Sequence, residues 1–169
     1  MKRLLALAAG AMLLGGASAH ALRVPGAPKC TVFPTTNAWN ERVDALPVAA
    51  NSAQIIQSIG LSTGLHPDFG SGLYAGQPIG IPYDVVSKLT KRSRVKFDYA
   101  DESDKGPYPI PTTVHIEGGR SSTGDRHAIL IDKHACKLYE LYALYPKGSG
   151  WSAGSGAIWN LRSNALRPA

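Results

Sequence analysis

Residues 112–144 read TTVHIEGGRSSTGDRHAILIDKHACKLYELYAL. Thr112 to Glu117 alternates, with Val114 and Ile116 on one side and Thr113, His115 and Glu117 on the other. Such period-two patterning is that of a half-buried strand. His127 to Ile131 is a short β-branched run, and Lys137 to Leu144 alternates again. Gly118 to Gly124, rich in Gly and Ser, predicts a hairpin-like loop between the first two. Outward from this block, Ile79 to Val86 (broken by Pro82), Arg94 to Tyr99 and Ala157 to Leu161 supply further short strands. Strands divided by Gly, Pro and Asp clusters predict a mainly β fold, an antiparallel sandwich or barrel. No helix–strand alternation argues for a doubly wound sheet.

One short N-terminal helix is expected over Asn51 to Ile59. Asn51 and Gln54 have capping-box spacing, Ile55, Ile56 and Ile59 form a stripe, and Gly60 follows. Gly60 to Gly80 contains six glycines and the string His66-Pro67-Asp68-Phe69-Gly70, and is expected to be a long irregular loop. Residues 22–36, rich in Pro and Thr, read as an extended arm.

The chain has 169 residues, a formal charge of +6 and 18% charged residues. That length suits one domain, and the low charge argues against a large disordered tail. The first 21 residues read as an export signal. Lys2 and Arg3 precede an uncharged run from Leu4 to Gly16, and Ala19-His20-Ala21 has small-x-small cleavage spacing. The run falls short of the ~20 residues that span a bilayer. Cleavage removes two cations and no acid, leaving +4. The expected product is a secreted or periplasmic β-rich domain over 22–169 without a transmembrane segment. Export and the lack of a recognised motif argue against nucleic acid as a partner. Lys88, Lys91, Arg92, Arg94 and Lys96 form a basic cluster, either an anionic-surface contact or a solvated edge strand.

Cys30 and Cys136 are the only cysteines. An oxidising compartment predicts a disulfide pinning the N-terminal arm to a strand. Neither sits in a nucleophile motif, and two cysteines without C-x-x-C argue against structural zinc.

Polar chemistry concentrates around the central block. If its first two strands pair, His115, Glu117, Asp125, Arg126 and His127 gather at one end of a sheet. A carboxylate beside an imidazole orients it and makes a general base or a metal-ligand set. Equally, these groups can be solvated, with Arg126 paired to Asp125 or Glu117. Glu140 shares a strand face with Cys136, Leu138 and Tyr142 and is expected to be half-buried. Asp101, Glu102 and Asp104 place three carboxylates within four residues, either a calcium loop or a solvated turn. Trp151, in a glycine- and serine-rich loop, and Tyr108 are candidates for stacking on sugar. Trp159 reads as core. There is no G-x-S-x-G elbow, H-E-x-x-H or phosphate-binding loop.

The strings Asn37-Ala-Trp-Asn40, Leu65-His-Pro-Asp-Phe-Gly70, Phe97-Asp-Tyr-Ala-Asp-Glu-Ser-Asp104, Gly106-Pro-Tyr-Pro-Ile-Pro111, Gly124-Asp-Arg-His127 and Gly154-Ser-Gly-Ala-Ile-Trp-Asn-Leu-Arg-Ser-Asn164 carry a likeness. Over most of residues 30–168 the chain resembles a group of secreted bacterial proteins of unassigned function. The resemblance brings no site residues. It implies a C-terminally shortened chain, since members of that group continue past the counterpart of Arg167-Pro168.

Two functions follow from the residues. One is a secreted glycan-active hydrolase with Glu117 and Glu140 as its carboxylates. Asp125 would stand in reserve, His115 and His127 would orient groups or transfer protons, and Trp151, Tyr108 and Arg126 would bind substrate. Its partner would be a polysaccharide or cell-wall glycan. The other is a non-catalytic envelope or carbohydrate-binding protein in which the same groups hold loops together.

Overall fold

The computed structural model describes residues 20–64, 72–74 and 76–168. Most of the expected export signal (1–19) and the His66–Gly70 string lie outside them. The described chain is mainly β, with several sheets, one short helix and long connections.

β1 (Arg23–Val24) and β2 (Ala27–Thr31) pair as an N-terminal ribbon. Helix α1 (Ser52–Ile59) ends as its sequence dictates, with the Gly60 N–H donating to the Ile56 carbonyl at φ 106°. The expected capping box is absent, because the Asn51 side chain makes no cap bond. Ile55, Ile56 and Ile59 remain 46–61% exposed, so the stripe packs on nothing described. β3 (Gly72–Tyr74) and β4 (Gln77–Ile79) form a hairpin inside the segment expected to be irregular.

The central sheet runs β11–β8–β7–β5. It comprises β5 (Tyr83–Val86), β7 (Ala128–Asp132), β8 (Lys137–Tyr142) and β11 (Ser155–Asn160). β6 (Val95–Phe97) pairs with β10 (Gly150–Ala153), which pairs with β9 (Tyr145–Lys147) in a smaller sheet. The expectation of antiparallel pairing holds for most neighbours. β5–β7 and β6–β10 are parallel, which the long connections between their members permit.

Alternation along β7 and β8 divides the sheet faces. Ala128, Leu130, Tyr139 and Leu141 point inward and join Val86, Tyr108, Ile110, Val114, Ile116, Leu144 and Ala153 in the main core. Val95, Phe97, Trp151 and Ile158 pack against it. Ile131 faces outward and joins Val24, Ala27, Cys30, Cys136 and Leu161 in a second cluster under the N-terminal ribbon. The two faces are thus both apolar, but among the described residues the outer one is covered at one end only.

Thr112–Glu117 is not a strand. Thr112 and Thr113 form a turn, and 114–116 run without a ladder. Val114 and Ile116 are nevertheless 3% and 6% exposed. The alternation recorded burial, which an irregular chain pressed on a core satisfies equally well. The stretch 147–156, expected to be a flexible loop, instead contributes to the β9–β10 hairpin and the start of β11. Trp151 lies within it, half-buried against the core.

The β7–β8 turn is organised by Asp132, which is 2% exposed. Its Oδ1 accepts the N–H groups of His134 and Ala135, both at 3.0 Å. Its Oδ2 accepts from Arg92 Nη2 at 2.8 Å. Arg92 also donates to the Tyr139 hydroxyl at 2.9 Å. Cys136 closes the turn in the left-handed region (φ 49°) and bonds to Cys30 on β2, as the compartment argument predicts. No described helix is long and apolar enough to cross a membrane.

Two outcomes follow for stability. The disulfide closes a separation of 106 residues, for which loop entropy assigns about 4–5 kcal/mol. Cys30→Ser/Cys136→Ser should therefore unfold at lower denaturant, and limited proteolysis should release residues near 22–36 first. An unchanged midpoint would refute that role. Burial works against the Asp132 charge, but the Ala135 and His134 N–H groups and Arg92 outweigh it and hold the carboxyl below its usual range. Its stabilisation is complete above about pH 4 and is lost as pH falls through the lowered folded value. Asp132→Ala should cost about 2–3 kcal/mol at pH 7. In denaturant melts the wild-type advantage should shrink below pH 4.

Candidate functional site

His127 stands at the entry to β7 and Glu117 ten residues before it. A single oxygen, Glu117 Oε2, accepts both the His127 backbone N–H (3.2 Å) and the bond from Nδ1 (2.6 Å). The Glu117 N–H returns a bond to the His127 carbonyl at 2.9 Å. An ionised carboxylate only accepts, so the proton sits on Nδ1 and Nε2 is left as the basic nitrogen. Among the described residues no hydrogen bond engages Nε2. Both side chains are 32% exposed. The Tyr142 ring lies 5.5 Å from the imidazole, centroid to centroid.

Arg126, the residue before His127, is buried beneath the loop that follows Glu117. Its backbone is left-handed (φ 54°), which turns the chain into β7, and the residue is 2% exposed. Among the described residues no carboxylate meets it. Nε donates to the Leu144 carbonyl at 3.1 Å, and Nη1 to the carbonyls of Arg120 and Ser122, both at 2.8 Å. The guanidinium carbon lies 4.1 Å from the Tyr145 ring centroid. The loop between Glu117 and His127 is therefore wound around a buried cation, and Arg126 pairs with neither Asp125 nor Glu117. Its sequestered guanidinium has no face for substrate.

A second imidazole repeats the pattern. His115 donates its N–H to Asp84 Oδ2 (2.9 Å), and its Nδ1 meets Oδ1 at 2.7 Å. Asp84 lies on β5 and is only 14% exposed, whereas the His115 side chain is 70% exposed. Asp84 is a partner sequence reasoning missed. A lone acid within the apolar run Ile79 to Val86 was the available signal.

The uncovered end of the outer sheet face forms a groove of about 240 Å³. His127, Glu140, Tyr142, Ser155 and Ile81 are among the residues lining it. Glu140 is half-buried, and its Oε2 accepts from Trp159 Nε1 at 2.8 Å. Trp159, expected in the core, stands on this outer face with Phe33 edge-on at 6.4 Å. No Lys or Arg pairs with Glu140 or Glu117 among the described residues.

The structure therefore joins Glu117 to His127, places His127 and Glu140 on one groove, and holds His115 in a separate pair. Asp125 is exposed and is not among the groove-lining residues. Tyr108 is fully buried, so it cannot stack on a ligand. Its hydroxyl donates to the Asp104 carbonyl at 2.7 Å, and burial pushes the phenol well above its usual range. Trp151 is held in β10 and borders a different hollow, with Lys91 and Arg120. Asp101, Glu102 and Asp104 do not converge as a three-ligand calcium set; no such group occurs among the described residues. Asp104 instead accepts from the Ile158 N–H at 2.7 Å and from Arg167 at 2.8 Å.

No family model matches this chain, and no curated protein or solved structure matches it either.

Replacing Arg126 by Met should leave three carbonyls without their donor and cost about 2–4 kcal/mol in chemical denaturation. In the folded fraction the NMR resonance of the His127 Nδ1 proton should broaden or vanish. A sharp, unshifted resonance would show that Arg126 does not position the pair.

Proposed function

We propose that the chain is a secreted glycan-active hydrolase whose reaction is run at the groove by His127, Glu117 and Glu140. The observation that carries this reading is the 2.6 Å Glu117–His127 bond, beside a groove that His127 and Glu140 both line. Glu117 orients the imidazole, and Nε2 takes a proton from water. The water oxygen bonds to the anomeric carbon as the glycosidic C–O bond breaks. Glu140 delivers a proton to the leaving oxygen, and proton return from His127 restores both groups. This assigns Glu117 an orienting role and moves the base to His127. General acid–base assistance of this kind contributes roughly 10²–10⁴-fold.

Export is part of the proposal. The apolar run behind Lys2 and Arg3 and the Cys30–Cys136 bridge support it. The open groove suits a polymer better than an enclosed small molecule.

A second reading, a non-catalytic carbohydrate-binding envelope protein, draws support from the Trp159–Glu140 bond. That bond holds Glu140 as an acceptor, a role suited to binding hydroxyls.

The test is reducing-end release from a panel of bacterial and plant polysaccharides. Wild type should cleave at least one, with Glu117→Gln and His127→Ala slowed about 10²-fold or more. Equal turnover by wild type and Glu117→Gln would remove the dyad from the mechanism. Binding without cleavage across the panel would favour the second reading.

A further inference from the structure

Glu140 borders two hollows. Beyond the His127 groove, on the side of the N-terminal arm, it also lines a cleft of about 350 Å³ together with Phe33, Asn37, Trp39, Trp159 and Asn164. That volume falls at the small end of ligand sites.

Trp39 is 85% exposed, yet its backbone is firmly held. It sits in a 3-10 turn, Ala38–Asn40, capped by Asn37, whose Oδ1 accepts the Trp39 N–H at 3.0 Å. Asn40 Nδ2 donates to the carbonyls of Val32 and Pro34 at 2.8 and 2.9 Å. Asn37 Nδ2 donates to Asn164 Oδ1 at 2.9 Å, and Asn164 Nδ2 to Thr36 Oγ1 at 3.0 Å. These bonds tie the turn to the C-terminal segment across the cleft. A large ring held in the open by a braced turn at the edge of a cleft offers an apolar face on which a ligand can stack. Facing it are the Glu140 carboxyl and amide groups with spare hydrogen-bonding capacity.

We propose that this cleft is a subsite for one neutral pyranose ring of a glycan whose next residues occupy the His127 groove; the proposal rests on the glycan reading above. The apolar C–H face of a pyranose suits the Trp39 indole. Hydroxyl groups donate to Glu140 and exchange hydrogen bonds with Asn37 and Asn164. Glu140 is the one acidic group among the described residues lining the cleft. It accepts from hydroxyls, whereas a uronic acid finds no counter-charge, because no described Lys or Arg lines the cleft and the nearby Arg167 is already committed to Asp104 at 2.8 Å.

The purified protein would be titrated with hexasaccharides of glucose, N-acetylglucosamine or xylose, and with hexagalacturonate. Calorimetry and tryptophan fluorescence would follow binding. At least one neutral hexasaccharide should bind, and hexagalacturonate should bind more weakly. Trp39→Ala should lose about tenfold in affinity, and Trp39→Phe should recover most of it. Because Trp39 is exposed, Trp39→Ala should melt with wild type, which separates lost stacking from lost folding. Equal affinity in wild type and Trp39→Ala would overturn the subsite. So would preferred binding of hexagalacturonate, or no neutral hexasaccharide bound at about 1 mM. Turnover with unchanged Trp39→Ala affinity would sink the subsite and leave the hydrolase standing. Trp39-dependent binding without turnover of any glycan would do the reverse.

Discussion

The buried carboxylate of Asp132 sets the register on which the sheet depends. Its two bonds to the turn N–H groups place Asp132 opposite Lys137, and every later pair on β7 and β8 follows. A slip of one residue would send Tyr139 and Leu141 outward and Glu140 and Tyr142 into the core. The same carboxylate reaches Arg92 and, through it, the Tyr139 hydroxyl, so turn, core and flanking loop share one polar anchor. Cys136 ends that turn, which makes the position of the disulfide a consequence of the same geometry.

A second buried ion arranges the candidate site. Arg126 is satisfied by carbonyl dipoles rather than by a counter-charge. Those carbonyls belong to the loop that begins just past Glu117 and to Leu144, in the short connection between β8 and β9. Winding the loop around the guanidinium returns Glu117 to the imidazole of His127. Removing a buried cation's acceptors is costly, so the loop has little freedom to open. The dyad is therefore a product of core energetics on its loop side, while its other side borders an open groove.

Much of the β architecture is legible in the residues. The alternation along Lys137 to Tyr142 predicts that Tyr139 and Tyr142 take opposite faces, and they are 4% and 38% exposed. The helix over Ser52–Ile59 is legible from its stripe and its terminal glycine. Thr112–Glu117 misleads because its alternation reflects burial against the core rather than pairing in a sheet. The β9–β10 hairpin is hidden by glycine and serine, whose weak strand preference is overridden by pairing with β6. Tyr108 and Trp151, attractive as exposed stacking groups, are claimed by packing, since large rings contribute most when buried.

By itself the sequence determined the pairing of Cys30 with Cys136, the mainly β character and the concentration of imidazoles and carboxylates near residues 115–140. Those properties depend on composition and on short-range periodicity, which every residue reports locally. Only the tertiary structure decided which carboxylate serves which imidazole. It gave Asp84 to His115, Glu117 to His127 and Trp159 to Glu140, and sealed Arg126 beneath its loop. Each of those bonds joins residues that are distant in sequence or that meet only after a loop has closed. Their partners are chosen by the register of β7 and β8 and by the burial of two ions, neither of which a local pattern encodes.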